Sequence, residues 1–218
     1  MNHQQPTEEQ FRQIAMQLSH PTGDDGIRTA EQMHFSNIGM TRNTISSLTL
    51  MPNDRVLELG HGNGKHIVEI LDKAEDISYQ GLEISELMSL EARKVNTQAN
   101  VSFTLYEGEN IPFEADCFNK ILTVNTLYFW KNPLQLLNEI YRVLKPGGKF
   151  SFAFAQRDFM EKLPFTKFIF ELYDIPKVEK LIRNSFFKNF EFKEFTEQIT
   201  SKDGQSIERV YTIATLMK

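Results

Sequence analysis

Short apolar runs alternate with amphipathic segments through the middle of the chain. The apolar runs are of the length typical of buried strands, and they cover residues 55–59, 77–82, 101–106, 118–125 and 149–155. The segments between them, at 64–73, 85–98 and after Asn132-Pro133, repeat apolar residues with helical spacing. Strands that alternate with helices favour right-handed crossovers and therefore a parallel sheet.

The first fifty residues show helical patterns and no strand pattern. Thr7 and Gln10 have the spacing of a capping box, and an apolar stripe follows them. Residues 20–26 are rich in turn formers and break this helix. A second helical stretch over 27–49, interrupted near Gly39, completes a predicted helical cap on the core.

The C-terminal part changes pattern again. After a helical region at about 164–187, two strand-like segments at 189–200 and 206–216 flank Lys202-Asp-Gly204, which favours an antiparallel hairpin. The predicted fold is a doubly wound α/β domain with a seven-stranded, mostly parallel sheet, an antiparallel C-terminal hairpin and an N-terminal helical cap. We expect a single domain, 1–218, with a cap (1–50), a cofactor-binding core (51–156) and substrate-side helices with the terminal hairpin (157–218).

Composition narrows the class of protein. The formal charge is -5, and the sequence contains no long Lys/Arg run, so we expect no nucleic-acid partner. Cys117 is the only cysteine, which excludes an intrachain disulfide and a multi-cysteine metal site, and no metal is predicted. The N-terminus lacks the pattern of a secretory signal, and no apolar run approaches the roughly 18 residues that span a bilayer. These features predict a soluble, cytoplasmic protein without membrane insertion.

A glycine-rich turn carries the sharpest functional signal. The sequence Val56-Leu-Glu-Leu-Gly60-His-Gly62-Asn-Gly64 spans the end of the first predicted strand and the start of a helix. In doubly wound sheets, ligands bind in the crevice at the carboxyl ends of the strands, and glycine lets the backbone approach them closely. A tight turn without a ligand remains the alternative for this motif taken alone.

Further polar residues follow the next strands. Glu83 ends the second predicted strand, where a carboxylate can accept hydrogen bonds from ribose hydroxyls. The segment Tyr106–Phe113 follows the third strand, and Asn125–Trp130 follows the fourth. Together these segments predict a nucleoside-binding crevice.

In this order and spacing, residues 40–156 resemble the class I S-adenosylmethionine-dependent methyltransferases, especially the small-molecule enzymes related to those of ubiquinone and menaquinone biosynthesis. The resemblance implies S-adenosylmethionine as cofactor and a small-molecule acceptor. It implies that the loop from Glu58 through Gly60, His61, Gly62 and Gly64 holds the methionine part of the cofactor. It further implies that Glu83, with Ile84 beside it, binds the ribose, that Glu107 and Gly108 contact the adenine, and that Asn125 and Thr126 line the sulfonium side.

The sequence departs from the family pattern at three places. His61 replaces a small residue or cysteine, Glu107-Gly108 replaces the commoner Asp-Ala, and Asn119 stands where Asp is common. None of these changes removes a group that the cofactor would need.

Two other functions fit part of the pattern. A nicotinamide-dependent oxidoreductase also uses a glycine loop and a strand-end acid, but its fingerprint needs glycine where Lys65 stands. A non-catalytic module that keeps the methyltransferase fold is the other alternative. The acceptor, the methylated element and the oligomeric state are not indicated by the sequence.

Methyl transfer from a sulfonium needs alignment more than a dedicated base, and the sequence shows no obligatory catalytic pair. His34 and Tyr128 are candidates for catalysis, and Tyr128, Phe129 and Trp130 are candidates for walls of the acceptor site, with plain packing as the alternative for each. His66 opens a helix whose dipole disfavours a cation, and it is interpreted as structural, with contact to the cofactor as the alternative. Arg42 is a candidate partner of the cofactor carboxylate.

Overall fold

A seven-stranded sheet with the strand order β3-β2-β1-β4-β5-β7-β6 forms the centre of the structure, a computed structural model that describes residues 6–200 and 206–218. The strands are β1 (Arg55–Leu59), β2 (Ser78–Glu83), β3 (Val101–Leu105), β4 (Phe118–Val124), β5 (Leu144–Ala155), β6 (Asn189–Thr200) and β7 (Ser206–Met217). The helices are α1 (Glu8–Ser19), α2 (Gly23–Leu48), α3 (Ile67–Leu71), α4 (Glu86–Val95), α5 (Pro133–Val143), α6 (Arg157–Met160) and α7 (Ile175–Asn184). The predicted fold class is confirmed.

The sheet topology places a crevice above β1 and β4. Strands β1 to β5 pair in parallel, and the chain runs outward from β1 in one direction and from β4 in the other. β7 pairs antiparallel to both β5 and β6. A doubly wound sheet opens at the point where the strand order reverses, so the loops after β1 and β4 face a common space.

Apolar layers cover both faces of the sheet. One layer contains Leu57 and Phe152 with the helices α5 and α7, and the other contains Val56 and Ile67 with α4. The alternation of Val56 and Leu57 between the two layers follows from the two-residue period of a strand. Burial on both faces explains why these strands read as nearly continuous apolar runs.

Several predicted boundaries differ from the structure. Helix α2 is continuous from Gly23 to Leu48, so the predicted interruption near Gly39 is wrong, and only residues 20–22 separate α1 from α2. A side chain at position 39 would overlap the Glu197 carboxylate of β6, so glycine lets the helix approach the hairpin closely.

Three further predicted segments differ in length from the elements in the structure. β5 begins at Leu144 instead of residue 149, because the segment after α5 is already in the sheet, and α3 is only five residues long. The predicted helix at 164–187 is largely confined to α7, preceded by a short 3-10 turn at Pro164–Lys167. The predicted hairpin turn at 202–204 lies outside the described residues.

The cap is fastened to the core by polar contacts. Thr7 and Gln10 form the predicted capping box of α1. Arg42 of α2 binds Glu69 of α3 with two hydrogen bonds of 2.8 and 2.9 Å, and Lys65 binds Glu31 at 2.7 Å. Within the described ranges, no helix combines the length and apolar character that a membrane crossing requires.

Candidate active site

Three glycines shape the turn after β1. Gly60, Gly62 and Gly64 have φ angles of 74°, 57° and 67°, a region that other residues rarely adopt. A side chain at Gly60 would lie 2.6 Å from Thr126 Cγ2, and one at Gly64 would collide with Ala92. At Gly62, by contrast, no atom of the described residues lies within 4 Å of an added Cβ. The turn therefore presents its backbone to open space at Gly62.

Glu83 lies directly against this turn. Its Oε2 accepts a 3.0 Å hydrogen bond from the Gly62 amide. Its Oε1 accepts hydrogen bonds from the amides of Ile84 and Ser85 at 2.8 and 3.0 Å. The carboxylate at the end of β2 is thus held in place by backbone donors, and its position next to the glycine turn is fixed before any ligand binds.

A cavity of about 220 Å³ lies above the glycine turn and under the cap. Ten of the eleven predicted cofactor residues line it: Glu58, Gly60, His61, Gly62, Glu83, Ile84, Glu107, Gly108, Asn125 and Thr126. Gly64 is the exception, because it packs against α4 and its carbonyl accepts a hydrogen bond from Asn96. The structure therefore brings segments that are up to 68 residues apart in sequence to one space.

The cap forms the opposite wall of the cavity. Its residues come from the end of α1, the connection to α2 and one face of α2: Gln17, Leu18, Ser19, Pro21, Thr29, Ala30, Met33, His34, Asn37 and Thr41. Burial lowers the pKa of His34, and so do the nearby His66 and Lys65, while Glu31 and Glu69 oppose this shift. Apart from His34, the cap residues of this wall were not predicted as site residues, because helical spacing alone does not distinguish a face that packs from a face that lines a cavity.

Glu58, His66 and Tyr79 form a buried cluster next to the glycine turn. His66 Nε2 lies 2.9 Å from both oxygens of Glu58, and the Tyr79 hydroxyl donates to Glu58 at 2.6 Å. Burial alone raises the pKa of Glu58, but His66, Tyr79 and His61 outweigh burial and lower it. Burial lowers the pKa of His66, but Glu58 outweighs burial and raises it. The expectation that the helix dipole disfavours a charged His66 did not take Glu58 into account, which favours the charged form.

His61 is enclosed beside the turn. Its Nδ1 lies 2.8 Å from the Gly62 carbonyl oxygen, and its ring packs 4.7 Å from the ring of Phe103. Gly81 is the residue beneath it, and a side chain there would overlap the imidazole. Burial lowers the pKa of His61, so the imidazole is neutral near pH 7. A neutral ring that donates from Nδ1 leaves Nε2 as an acceptor.

The segment after β4 is held by its own side chains. Asn125 has a φ angle of 58°, which asparagine tolerates better than most residues. Thr126 Oγ1 accepts a 3.0 Å hydrogen bond from Trp130 Nε1 and pairs with Thr123 Oγ1 at 2.6 Å. Phe129 and Trp130 both line the cavity, and their role as walls of an acceptor site stays a prediction.

Two predicted candidates lie elsewhere. Tyr128 is buried and does not line the cavity, and its hydroxyl is bonded to Asn125 Oδ1 and to the backbone of Ala155. Burial raises its pKa, so the structure gives no support for Tyr128 as an acid or base. Arg42 binds Glu69 on the surface of the cap and does not line the cavity, which contradicts its proposed contact with a cofactor carboxylate.

Comparisons with known proteins agree with this geometry. The methyltransferase domain family matches residues 57–152. YdaC of Bacillus subtilis, named as an uncharacterized methyltransferase, is 31% identical over 129 residues, which cover 58% of this chain and 70% of that protein. The chain belongs to the class I S-adenosylmethionine-dependent methyltransferases.

Solved structures with this fold cover nearly all of the methyltransferase. The phosphoethanolamine N-methyltransferase 2 of Haemonchus contortus, solved with S-adenosyl-L-methionine, has a TM-score of 0.72 and 17% identity and covers 95% of this chain and 60% of its own. A second similar structure is a chain from the complex between the Haloferax volcanii Trm112 methyltransferase activator and a methyltransferase. It has a TM-score of 0.70 and 17% identity and covers 89% of this chain and 96% of its own. At these identities the likeness establishes the fold alone.

The side chains of the methyltransferase fit the polar end of S-adenosylmethionine. His61 Nε2 and Asn63 Nδ2 are buried and have no hydrogen-bond partner within the part of the chain that the structure describes. An unpaired buried polar atom costs about 1–3 kcal/mol, so a polar group of the cofactor that pairs with either atom would recover free energy. Asn63 was not predicted, because its position in the loop carries no signal that separates it from a turn former.

Proposed function

We propose that this methyltransferase methylates a small molecule that binds between the cap and the sulfonium end of the cofactor site. The observation that carries the proposal is the continuity of the cavity, which runs from the glycine turn and Glu83 to one face of α2. The core side of the cavity contains the residues predicted for the cofactor. The space against the cap is left for an acceptor.

We assign the cofactor contacts residue by residue. The turn at Gly60 and Gly62 receives the methionine part, and Glu83 receives the ribose. Support comes from the open space at Gly62 and from the fixed carboxylate 3.0 Å from its amide. Glu107 and Gly108 lie at the adenine end, where the Glu107 carboxylate accepts two hydrogen bonds from Asn110.

The reaction proposed for this site is a direct displacement. When bound, the cofactor supplies a methyl group that is activated by a positive sulfur. Asn125 and Thr126 line the sulfonium side of the cofactor, and Trp130, whose Nε1 donates to Thr126 Oγ1, walls the acceptor space beside them. His34 is our candidate base, since it lines the cap wall and burial favours its neutral form. We propose that the cap, core and terminal segments act as one functional unit.

Calorimetric titration of S-adenosylmethionine and S-adenosylhomocysteine into the protein tests this assignment. We expect both to bind, and we expect Glu83→Gln to weaken binding by about 1–3 kcal/mol, since charge-assisted hydrogen bonds to the ribose are lost. Glu86→Gln is the matched control, because Glu86 is exposed at the start of α4. Failure of the wild-type protein to bind either compound at millimolar concentration would argue against the site.

Turnover is the second part of the test. Small acceptors are screened for methylation with radiolabelled S-adenosylmethionine, and a methylated product is expected for at least one. If the cofactor binds tightly and no acceptor of low molecular weight is methylated while a protein substrate is, the small-molecule proposal is wrong.

A further inference from the structure

Asn37 lies in the middle of the cap helix and lines the cavity. The residue is 9% exposed, so its amide group is largely removed from bulk water. A buried amide has two donor hydrogens and an acceptor oxygen, and each group left without a partner costs free energy. The partners of the Asn37 amide therefore indicate what else it is positioned to bind.

Arg209 of β7 fixes the orientation of this amide. The Arg209 Nη1 donates a 2.8 Å hydrogen bond to Asn37 Oδ1, and Nη2 donates a 2.6 Å hydrogen bond to the Ser36 carbonyl oxygen. A guanidinium has only donors, so Asn37 presents its oxygen to Arg209 and cannot be flipped without losing this bond. The Asn37 NH2 group must then face away from the arginine.

The NH2 group of Asn37 has only a weak partner in the described structure. Its one contact within hydrogen-bonding range is the Met33 sulfur at 4.0 Å. A thioether is a poor acceptor, and Met33 is itself a residue of the cavity wall. The donor is therefore available to a ligand in the cavity.

The hairpin holds Arg209 rigidly. Arg209 is 5% exposed, and its Nε donates a 2.9 Å hydrogen bond to Glu197 Oε1 of β6. The same carboxylate packs against Gly39 of α2, where a side chain would collide with it. The ion pair neutralises the guanidinium, so Arg209 positions Asn37 without presenting a free positive charge to the cavity.

The wall around Asn37 is uncharged. Among the described residues of the cap that line the cavity, none is Asp, Glu, Lys or Arg. Met33 and Ala30 are apolar, Thr41 is a neutral hydroxyl, and Phe129 and Trp130 lie on the core side. Lys131 on the core side also lines the cavity, but the cap side offers no charged partner, so it favours a neutral group over an ion.

We propose that the Asn37 amide anchors the methyl acceptor by donating a hydrogen bond to an uncharged oxygen of that acceptor, and that Arg209 is its positioning residue. The acceptor class is a neutral molecule with an apolar body and a hydroxyl or carbonyl oxygen. This inference rests on the proposed function, since it assigns the acceptor side of the same cavity.

A set of benzene derivatives tests the inference on protein saturated with S-adenosylhomocysteine. Phenol supplies a neutral oxygen, toluene supplies none, and benzylamine is a cation of similar shape. Affinities are measured by ligand-observed NMR titration. We expect phenol to bind the wild-type complex more tightly than toluene or benzylamine.

Asn37→Asp is the decisive variant. The carboxylate can still accept the hydrogen bond from Arg209, so we expect the fold to be kept, and it lacks the NH2 donor that we propose binds the acceptor. We expect phenol affinity to fall roughly threefold to tenfold, with toluene affinity unchanged. Asn43→Asp is the matched control, because Asn43 of the same helix donates to Tyr211 of the same hairpin and does not line the cavity. Phenol affinity should be unchanged in that control.

The positioning role of Arg209 requires a separate readout. In the double variant Arg209→Met with Glu197→Gln, we expect phenol affinity to fall as much as in Asn37→Asp. When Asn37→Asp is added to this double variant, we expect no further loss of phenol affinity. Independent, additive losses would overturn the positioning role.

Three results would overturn the inference about Asn37. They are an unchanged phenol affinity in Asn37→Asp, an equal loss in Asn43→Asp, or no phenol binding to the wild-type complex at about 10 mM. Binding of S-adenosylhomocysteine is measured first in every variant. Its absence in the wild-type protein would instead count against the proposed cofactor site.

Discussion

Gly62 lies where the glycine turn faces open space. A substitution at this residue can distinguish the conformational role of glycine from its role in ligand binding. Gly62 and Gly147 both have positive φ angles, 57° and 77°. If a Cβ were added at either position, no atom of the described residues would lie within 4 Å of it. Gly147 lies in β5, away from the cavity lining. The two positions therefore form a matched pair.

We expect Gly62→Ala and Gly147→Ala to lose similar stability, about 1–2 kcal/mol each, because alanine disfavours a left-handed conformation. Only Gly62→Ala should lose at least tenfold in affinity for S-adenosylhomocysteine, since its methyl group projects into the proposed cofactor space. Urea unfolding and calorimetry measure the two effects. Equal affinity in both variants would place the ligand away from the turn.

His34 is a residue whose titration can be followed without knowledge of the acceptor. Burial, His66 and Lys65 lower its pKa below the ordinary 6.5, against the opposing effect of Glu31 and Glu69. We expect NMR titration of its ring protons to give a midpoint below 6.5. Methylation that depends on His34 as a base should then decline as the pH falls through that midpoint, and His34→Gln should abolish this acid limb. A midpoint at or above 6.5 would contradict the described environment.

At the scale of single residues, the sequence predicted the glycine turn and Glu83 because their signals are local. Both depend on residue type at a strand end, and a strand end is visible in the apolar pattern. The partner of His66 was not predictable in the same way. Glu58 lies eight residues earlier, and its carboxylate faces His66 only after β1 and α3 are folded against each other. The dipole rule considered the helix alone and therefore missed the carboxylate that raises the pKa of His66.

Among the elements, β1 and α3 are tied across the turn by Glu58 and His66. The pKa of Glu58 is lowered from 4.5, so its contribution to stability is present above pH 4.5 and is lost as the pH falls through the folded-state pKa. The pKa of His66 is raised from 6.5, so its contribution is present below pH 6.5 and is lost as the pH rises through the folded-state pKa. The interaction between Glu58 and His66 therefore stabilises the fold most between pH 4.5 and pH 6.5.

We expect His66→Gln to lower the free energy of unfolding by about 1.5–3 kcal/mol between pH 4.5 and 6.5, and by less once the pH exceeds the raised folded-state pKa of His66. Urea unfolding at a series of pH values measures the difference. His20→Gln is the control, because His20 is exposed after α1 and should show no such window. A difference that stays constant with pH would mean that the pair is not ionic.

The ends of helices and strands were predicted best where the burial of apolar residues sets them. They were predicted least well where contacts between distant parts of the chain set them. The strands β1, β6 and β7 lie close to their predicted limits, because their apolar or alternating patterns end where the sheet ends. Gly39 was read as a helix breaker, since glycine has low helix propensity. The close approach of Glu197, 158 residues later, leaves no room for a side chain at position 39 and is invisible in a local pattern.

In the whole molecule, three separate parts of the chain meet at one cavity. The core supplies the turn and Glu83, the cap supplies the opposite wall, and the hairpin orients Asn37 through Arg209. The core contribution was predictable from motif order, since parallel strands bring their carboxyl ends to one edge. The contributions of cap and hairpin were not, because they depend on packing between the two ends of the chain.

A crystal structure of the protein with S-adenosylhomocysteine is the most direct test of the central claim. The ribose hydroxyls should lie within hydrogen-bond distance, about 2.5–3.2 Å, of the Glu83 carboxylate, and the homocysteine part should lie against the Gly62 backbone. The sulfur should point toward the space between Asn125 and the cap. A ligand whose ribose is out of reach of Glu83, or that binds outside this cavity, would contradict the account.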